Sequence, residues 1–151
     1  MRGVHVLVAG SLTLGGCAVL AQTSSDTSSL RDQKPLRDAV EASTALIQRY
    51  PNDPDHWLRR GLAQARQSLW VPAAQDLEKA VSLAPGYADA WSALADVYRW
   101  SDRPAAAADA YGRLALLRPD DTQVQVLRAR SLATVAELEA AQLAQQQPFG
   151  L

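Results

Sequence analysis

The chain has one cysteine, one phenylalanine, two histidines and no run of basic residues. Each shortage closes a class of function. With Cys17 alone, neither an intramolecular disulfide nor a cysteine metal cage can form. His5 lies in a segment with the look of a targeting signal, and His56, with no second histidine or cysteine near it, is expected to be an exposed residue in the first turn of a helix. No glycine-rich phosphate loop, Gly-x-Ser-x-Gly elbow or His-Glu-x-x-His run occurs, so no catalytic residue, cofactor or metal is expected. Acid–base catalysis would need paired carboxylates or a histidine within reach of one, and the sequence offers neither. A formal net charge of −1 without a basic block speaks against phosphate neutralisation, and so against nucleic acid as a partner. The reading is a non-enzyme with no small-molecule substrate.

Long apolar runs are also scarce. The segment from Gly3 to Leu14, behind Arg2, has the shape of a secretory signal and is too short to span a bilayer as a permanent helix. Leu14-Gly15-Gly16-Cys17 resembles the bacterial lipobox, in which Cys17 is lipidated and becomes the N-terminus. Val19-Leu20-Ala21 resembles an ordinary signal-peptidase site and is the alternative exit. The lipobox is preferred because the chain's one thiol stands where that pathway needs it. In lipoproteins, Ala18 rather than Asp after the modified cysteine implies sorting to the outer membrane, and more than one acyl chain suffices for stable anchoring. Residues 1–21 are thus assigned to a signal peptide with its lipobox at 14–17. Residues 22–34, rich in Ser and Thr with one large apolar residue, form a flexible tether. The expected location is periplasmic, as an outer-membrane lipoprotein or otherwise a soluble protein.

Apolar residues make up 48% of the chain, yet much of that is alanine, which favours helix and close helix approach. Four tryptophans must carry a large share of the packing. Their placement exposes a repeat. Trp57, Gly61, Ala73, Leu77, Ala80 and Pro85 recur as Trp91, Ala95, Ala107, Tyr111, Leu114 and Pro119, each pair 34 residues apart. A strict period of this length marks stacked helix-turn-helix units, whose neighbours bury each other's apolar faces. A half repeat (35–53) leads in, with Leu36, Ala39, Val40, Ser43, Leu46, Ile47 and Tyr50 on one helical face. Full repeats follow at 54–87 and 88–121, and a degenerate capping repeat at 122–147 is expected to hold two helices, the second from Val135 to Gln146. Residues 148–151 are a tail.

The pattern resembles the tetratricopeptide repeat. Trp57 and Trp91 match its fourth position, Gly61 and Ala95 its eighth, Tyr98 its eleventh, Ala73 and Ala107 its twentieth, and Leu77 and Tyr111 its twenty-fourth. These are the residues the resemblance assigns to repeat packing. It implies an all-α fold: a right-handed superhelical solenoid of antiparallel helix pairs, about seven helices here, with a concave groove lined by each unit's first helix. Arg60 departs from the usual leucine and Gln64 from the usual aromatic, which implies a loosely packed first unit.

The family's groove positions fall on Asp55, Arg59 and Arg66, then Asp89, Ser92, Asp96, Arg99 and Trp100, then Gln123 and Arg130. A Lys and Asn clamp for a partner's C-terminal carboxylate, used by some members, is replaced by Leu58 and Leu62. Asp55 with Arg59, and Asp96 with Arg99, have the spacing of helical surface ion pairs. Trp100 beside Arg99 is the type of residue that makes a binding hot spot. The function expected is therefore a scaffold or adaptor that binds a protein or peptide partner in this groove, with a membrane link through Cys17. A scaffold subunit or fragment of an exopolysaccharide export assembly is the alternative. A carbohydrate-binding accessory that uses Trp100 as a stacking platform ranks below it.

Overall fold

The computed structural model describes residues 34–146. The signal segment, Cys17, the tether as far as Gln33 and the C-terminal tail lie outside the described residues. Residues 34–49 form α1. Then follow α2 (Pro54–Ala65), α3 (Trp70–Leu83), α4 (Ala88–Trp100), α5 (Pro104–Leu117) and α6 (Thr122–Gln146). Consecutive helices from α2 to α6 pack on one another, and the first helices α2 and α4 also meet directly.

Local chemistry sets the boundaries. Asp53 accepts the Asp55 N–H at 3.0 Å, and Pro54 stands at the start of α2, where its missing N–H costs nothing. Asp121 plays the same part for α6, taking the N–H groups of Gln123 and Val124 at 3.0 and 3.3 Å. Pro104 starts α5. The turns within both full units contain one residue in left-handed conformation, Ser68 (φ 58°) and Asp102 (φ 56°), again 34 residues apart.

The core is built from the repeat itself. Ala73 and Ala107, Leu77 and Tyr111, and Ala80 and Leu114 are all sealed from solvent, as are Gly61 and Ala95. Gly61 shows why that position is small: a Cβ there would stand 2.8 Å from Leu77 Cγ and 3.2 Å from the Ala73 carbonyl oxygen. Trp57 and Trp91 lie half-buried at the edge of this core. Each donates its indole N–H at 2.8 Å to the carbonyl of the proline that ends the preceding unit, Pro51 and Pro85.

Three expectations are corrected. The final unit holds one helix, not two, so six helices are seen among the described residues. No proline, glycine, asparagine or aspartate interrupts 122–146. Ser131 and Thr134, just before the expected second helix, donate to the carbonyls four residues back, Leu127 and Arg130, at 3.0 and 3.1 Å, and stay within the helix. His56 is largely covered, its side chain 15% exposed and its ring 6.0 Å from that of Tyr50.

Third, the first full unit is not loosely held at Arg60. The guanidinium makes a two-pronged bond to Asp76 on α3, both contacts at 2.7 Å, and a third bond at 3.2 Å to Thr44 Oγ1 on α1. The next unit fills the equivalent places with buried Leu94 and Ala110, so one repeat uses charge where its neighbour uses apolar packing.

Candidate functional site

The groove positions expected from the repeat lie on α2, α4 and α6, with Arg66 just past the end of α2. Asp55, Arg59, Arg66, Asp89, Arg99, Trp100, Gln123 and Arg130 are exposed, and Ser92 and Asp96 are half-buried. The acids and the bases among them differ in what they are free to do.

Each of the three acids is engaged within the chain. Tyr87, in the turn before α4, donates its hydroxyl to Asp55 at 2.5 Å, and that bond is the main reason its pKa is pushed up to about 12. Asp89 pairs at 2.6 Å with Arg118, in the turn before α6. Asp96 accepts from the Tyr111 hydroxyl at 2.7 Å and from Arg99 at 3.2 Å, and Arg99 Nε also reaches the Tyr111 oxygen at 3.3 Å. Burial first, then the bond to Asp96, holds the Tyr111 pKa up at about 12, while the Tyr111 bond is the largest cause of a raised Arg99 pKa. The Asp96–Arg99 pair is thus present as the spacing implies, and Asp55 turns to Tyr87 rather than to Arg59. Arg59, Arg66 and Arg130 have no ion-pair partner among the described residues.

One end of the groove opens into a cleft of about 480 Å³ lined by Leu62, Ala65, Arg66, Ser68, Trp70 and Trp100. Trp70 opens α3 and Trp100 closes α4, and their rings meet at 5.8 Å with a 46° tilt. The guanidinium of Arg99 stands 5.2 Å from the Trp100 ring, a cation–π contact, and Trp100 remains 52% exposed. Leu62, Ala65 and Trp70, none of which is among the expected groove positions, are walls of this cleft. Ser68, the left-handed residue of the turn between α2 and α3, lines the cleft with them.

A second concavity, of about 520 Å³, lies between α3 and α5 and is walled by Val81, Pro85, Trp91, Leu116 and Leu117. Its walls include none of the expected groove residues.

Comparison with known proteins bears on the fold. Residues 72–131 match the family model described as tetratricopeptide repeat. The first such repeat domain of Spaghetti (RPAP3), bound to the Hsp90 peptide SRMEEVD, is similar with a TM-score of 0.63 at 20% identity, over 74% of this chain and 91% of that one. The Sgt2 repeat domain from Aspergillus fumigatus gives 0.61 at 19% identity, over 84% and 83%. The TPR2B domain of yeast Sti1, in its complex with pHsp70, gives 0.60 at 19% identity, over 71% and 90%. No curated protein matches the chain. The fold is the all-α tetratricopeptide-repeat solenoid.

Proposed function

We propose that this chain is a non-catalytic adaptor that holds a peptide or partner helix in the groove formed by α2, α4 and α6. A bulky apolar side chain of the partner seats in the cleft between Trp70 and Trp100, with acidic residues beside it. The cleft carries this reading. Its walls are mainly aromatic and aliphatic, no carboxylate lines it, and positive charge is present in Arg66 of the wall and in Arg99 on the Trp100 ring. The groove's carboxylates, by contrast, are engaged by Tyr87, Arg118, Tyr111 and Arg99. One structural neighbour was solved bound to an Hsp90 peptide and another in a complex with pHsp70, which supports peptide capture as a use of this fold. The lysine and asparagine clamp of some family members has no counterpart, since Leu58 is buried and Leu62 forms part of the cleft wall.

The adaptor works, in this reading, in the bacterial envelope as a lipoprotein anchored through Cys17. The lipobox-like Leu14-Gly15-Gly16-Cys17 supports that location. Cross-linking pull-down from envelope extracts tests the groove, comparing the unaltered chain with Trp100→Ala and Arg99→Ala. Loss of an exposed aromatic hot spot costs about 2 kcal/mol or more, roughly a thirtyfold weaker partner. An unchanged partner set with Trp100→Ala rejects the groove reading, and sugar binding by the purified protein would replace it with a carbohydrate role. For the anchor, Cys17→Ala is expected to abolish palmitate incorporation and membrane fractionation; retention of both refutes it.

A further inference from the structure

We propose that α6 is the docking face for a second copy of this chain, the two α6 helices packing antiparallel about a two-fold axis beside Ala133 and Thr134. On a helix that turns about 100° per residue, α6 has two apolar stripes on opposite sides. One holds Val124, Leu127, Ser131, Val135 and Leu138. Val124 and Ser131 are buried, Leu127 packs on the core, and α6 is seated there against α5. The other holds Ala129, Leu132, Ala133, Ala136, Ala140 and Leu143, all exposed, with Leu132 at 50% and Leu143 at 62%. Among the described residues no second helix of this unit covers that face, because α6 runs straight on from Thr122 to Gln146.

The charges beside the open stripe identify its occupant. Arg128 and Glu139 flank it on one side, Arg130 and Glu137 on the other, and all four are exposed. None has an ion-pair partner among the described residues. In each couple the arginine precedes the Ala133–Thr134 midpoint by as many residues as the glutamate follows it. Antiparallel helices bring like flanks together, so one axis places Arg128 opposite Glu139 of the second copy and Arg130 opposite its Glu137, four ion pairs in all. A parallel pairing would set arginine beside arginine and glutamate beside glutamate. In the antiparallel register the two Leu132 side chains stand about 4.5 Å apart along the axis, and the small alanines around them let the backbones approach.

The stripe from Ala129 to Leu143 spans about 21 Å, a small interface by the standards of stable complexes, so dissociation in the micromolar range is expected. Sedimentation velocity of the purified full chain over a concentration series reads it directly. The unaltered chain should dimerise, more weakly at high salt. Arg128→Glu with Arg130→Glu, and separately Glu137→Arg with Glu139→Arg, should each weaken the dimer at least about tenfold with helicity unchanged by circular dichroism. An equimolar mixture of the two double variants should restore it as a heterodimer. Leu132→Gln should weaken it irrespective of salt. A chain that stays monomeric from micromolar to millimolar concentration overturns the proposal. So does a dimer that survives both double variants, or a mixture that fails to recover.

Discussion

The Arg60–Asp76 bond offers a sharp test of how the two repeats differ. Asp76 is 7% exposed and Arg60 19%, so neither charge can be left alone cheaply. Arg60→Leu strands a buried carboxylate, and removal of one partner from such a pair typically costs about 3–5 kcal/mol. Asp76→Ala should cost less, about 2 kcal/mol, because the long arginine stem can carry its head toward water. The double variant Arg60→Leu/Asp76→Ala writes into the first unit what the second already contains, buried Leu94 and Ala110. Replacing a buried pair by apolar packing is often neutral or stabilising, so the double variant should lie within about 1 kcal/mol of the parent. The coupling energy of the cycle is then about 4 kcal/mol or more. Urea unfolding followed by tryptophan fluorescence and circular dichroism measures all four proteins. At roughly 4 °C per kcal/mol, Arg60→Leu alone should lower the melting temperature by at least about 12 °C. A double variant that loses the sum of the two single changes would refute the equivalence of the two solutions.

Two further expectations follow from the same packing. Gly61→Ala should cost about 1–3 kcal/mol, since its Cβ meets fully buried Leu77 and the Ala73 carbonyl, whereas Gly86→Ala, with nothing within 4 Å, should change thermal stability little; equal effects would contradict the close approach. Stability should fall in alkali. Tyr87 and Tyr111 ionise at about 12 when folded, Tyr98 is also shifted upward, and an unfolded tyrosine ionises at about 10. Between these values the unfolded chain binds fewer protons than the folded one, so the contribution is whole below pH about 10 and is lost as pH rises through about 12. Urea midpoints across that window, with Tyr111→Phe showing a shallower fall, check it; a flat profile rules it out.

How much of this was legible in the residues themselves differs from element to element. The 34-residue period named the helices from α2 to α5 and the tight crossing at Gly61, because steric demands at a repeated contact leave the same residue types at the same spacing. The side chains it assigns to the groove are exposed, apart from half-buried Ser92 and Asp96. Pairings between units were not legible. Asp55 with Tyr87, or Asp89 with Arg118, depend on the angle between successive pairs, which a period along the chain does not encode. The Arg60–Asp76 exchange had a signal: both residues depart, within one unit, from what stands 34 residues later. For α6 the period was misleading. Its continuation implied a turn near Thr134, while the local composition, without a breaker from Thr122 to Gln146, favoured one helix. Where long-range pattern and local chemistry disagreed, local chemistry prevailed.

The two tryptophan–proline bonds also make the chain self-reporting. Each indole is fixed at a boundary between units, Trp57 to Pro51 and Trp91 to Pro85, while Trp70 and Trp100 share the cleft. In an array where each unit contacts only its neighbours, unfolding can proceed one boundary at a time. Opening of the turn between α1 and α2 releases the Trp57 bond and leaves that of Trp91 intact; occupation of the cleft alters the surroundings of Trp70 and Trp100. Fraying at the entrance, separation of the central pairs and ligand capture therefore have different optical signatures in the same unlabelled molecule.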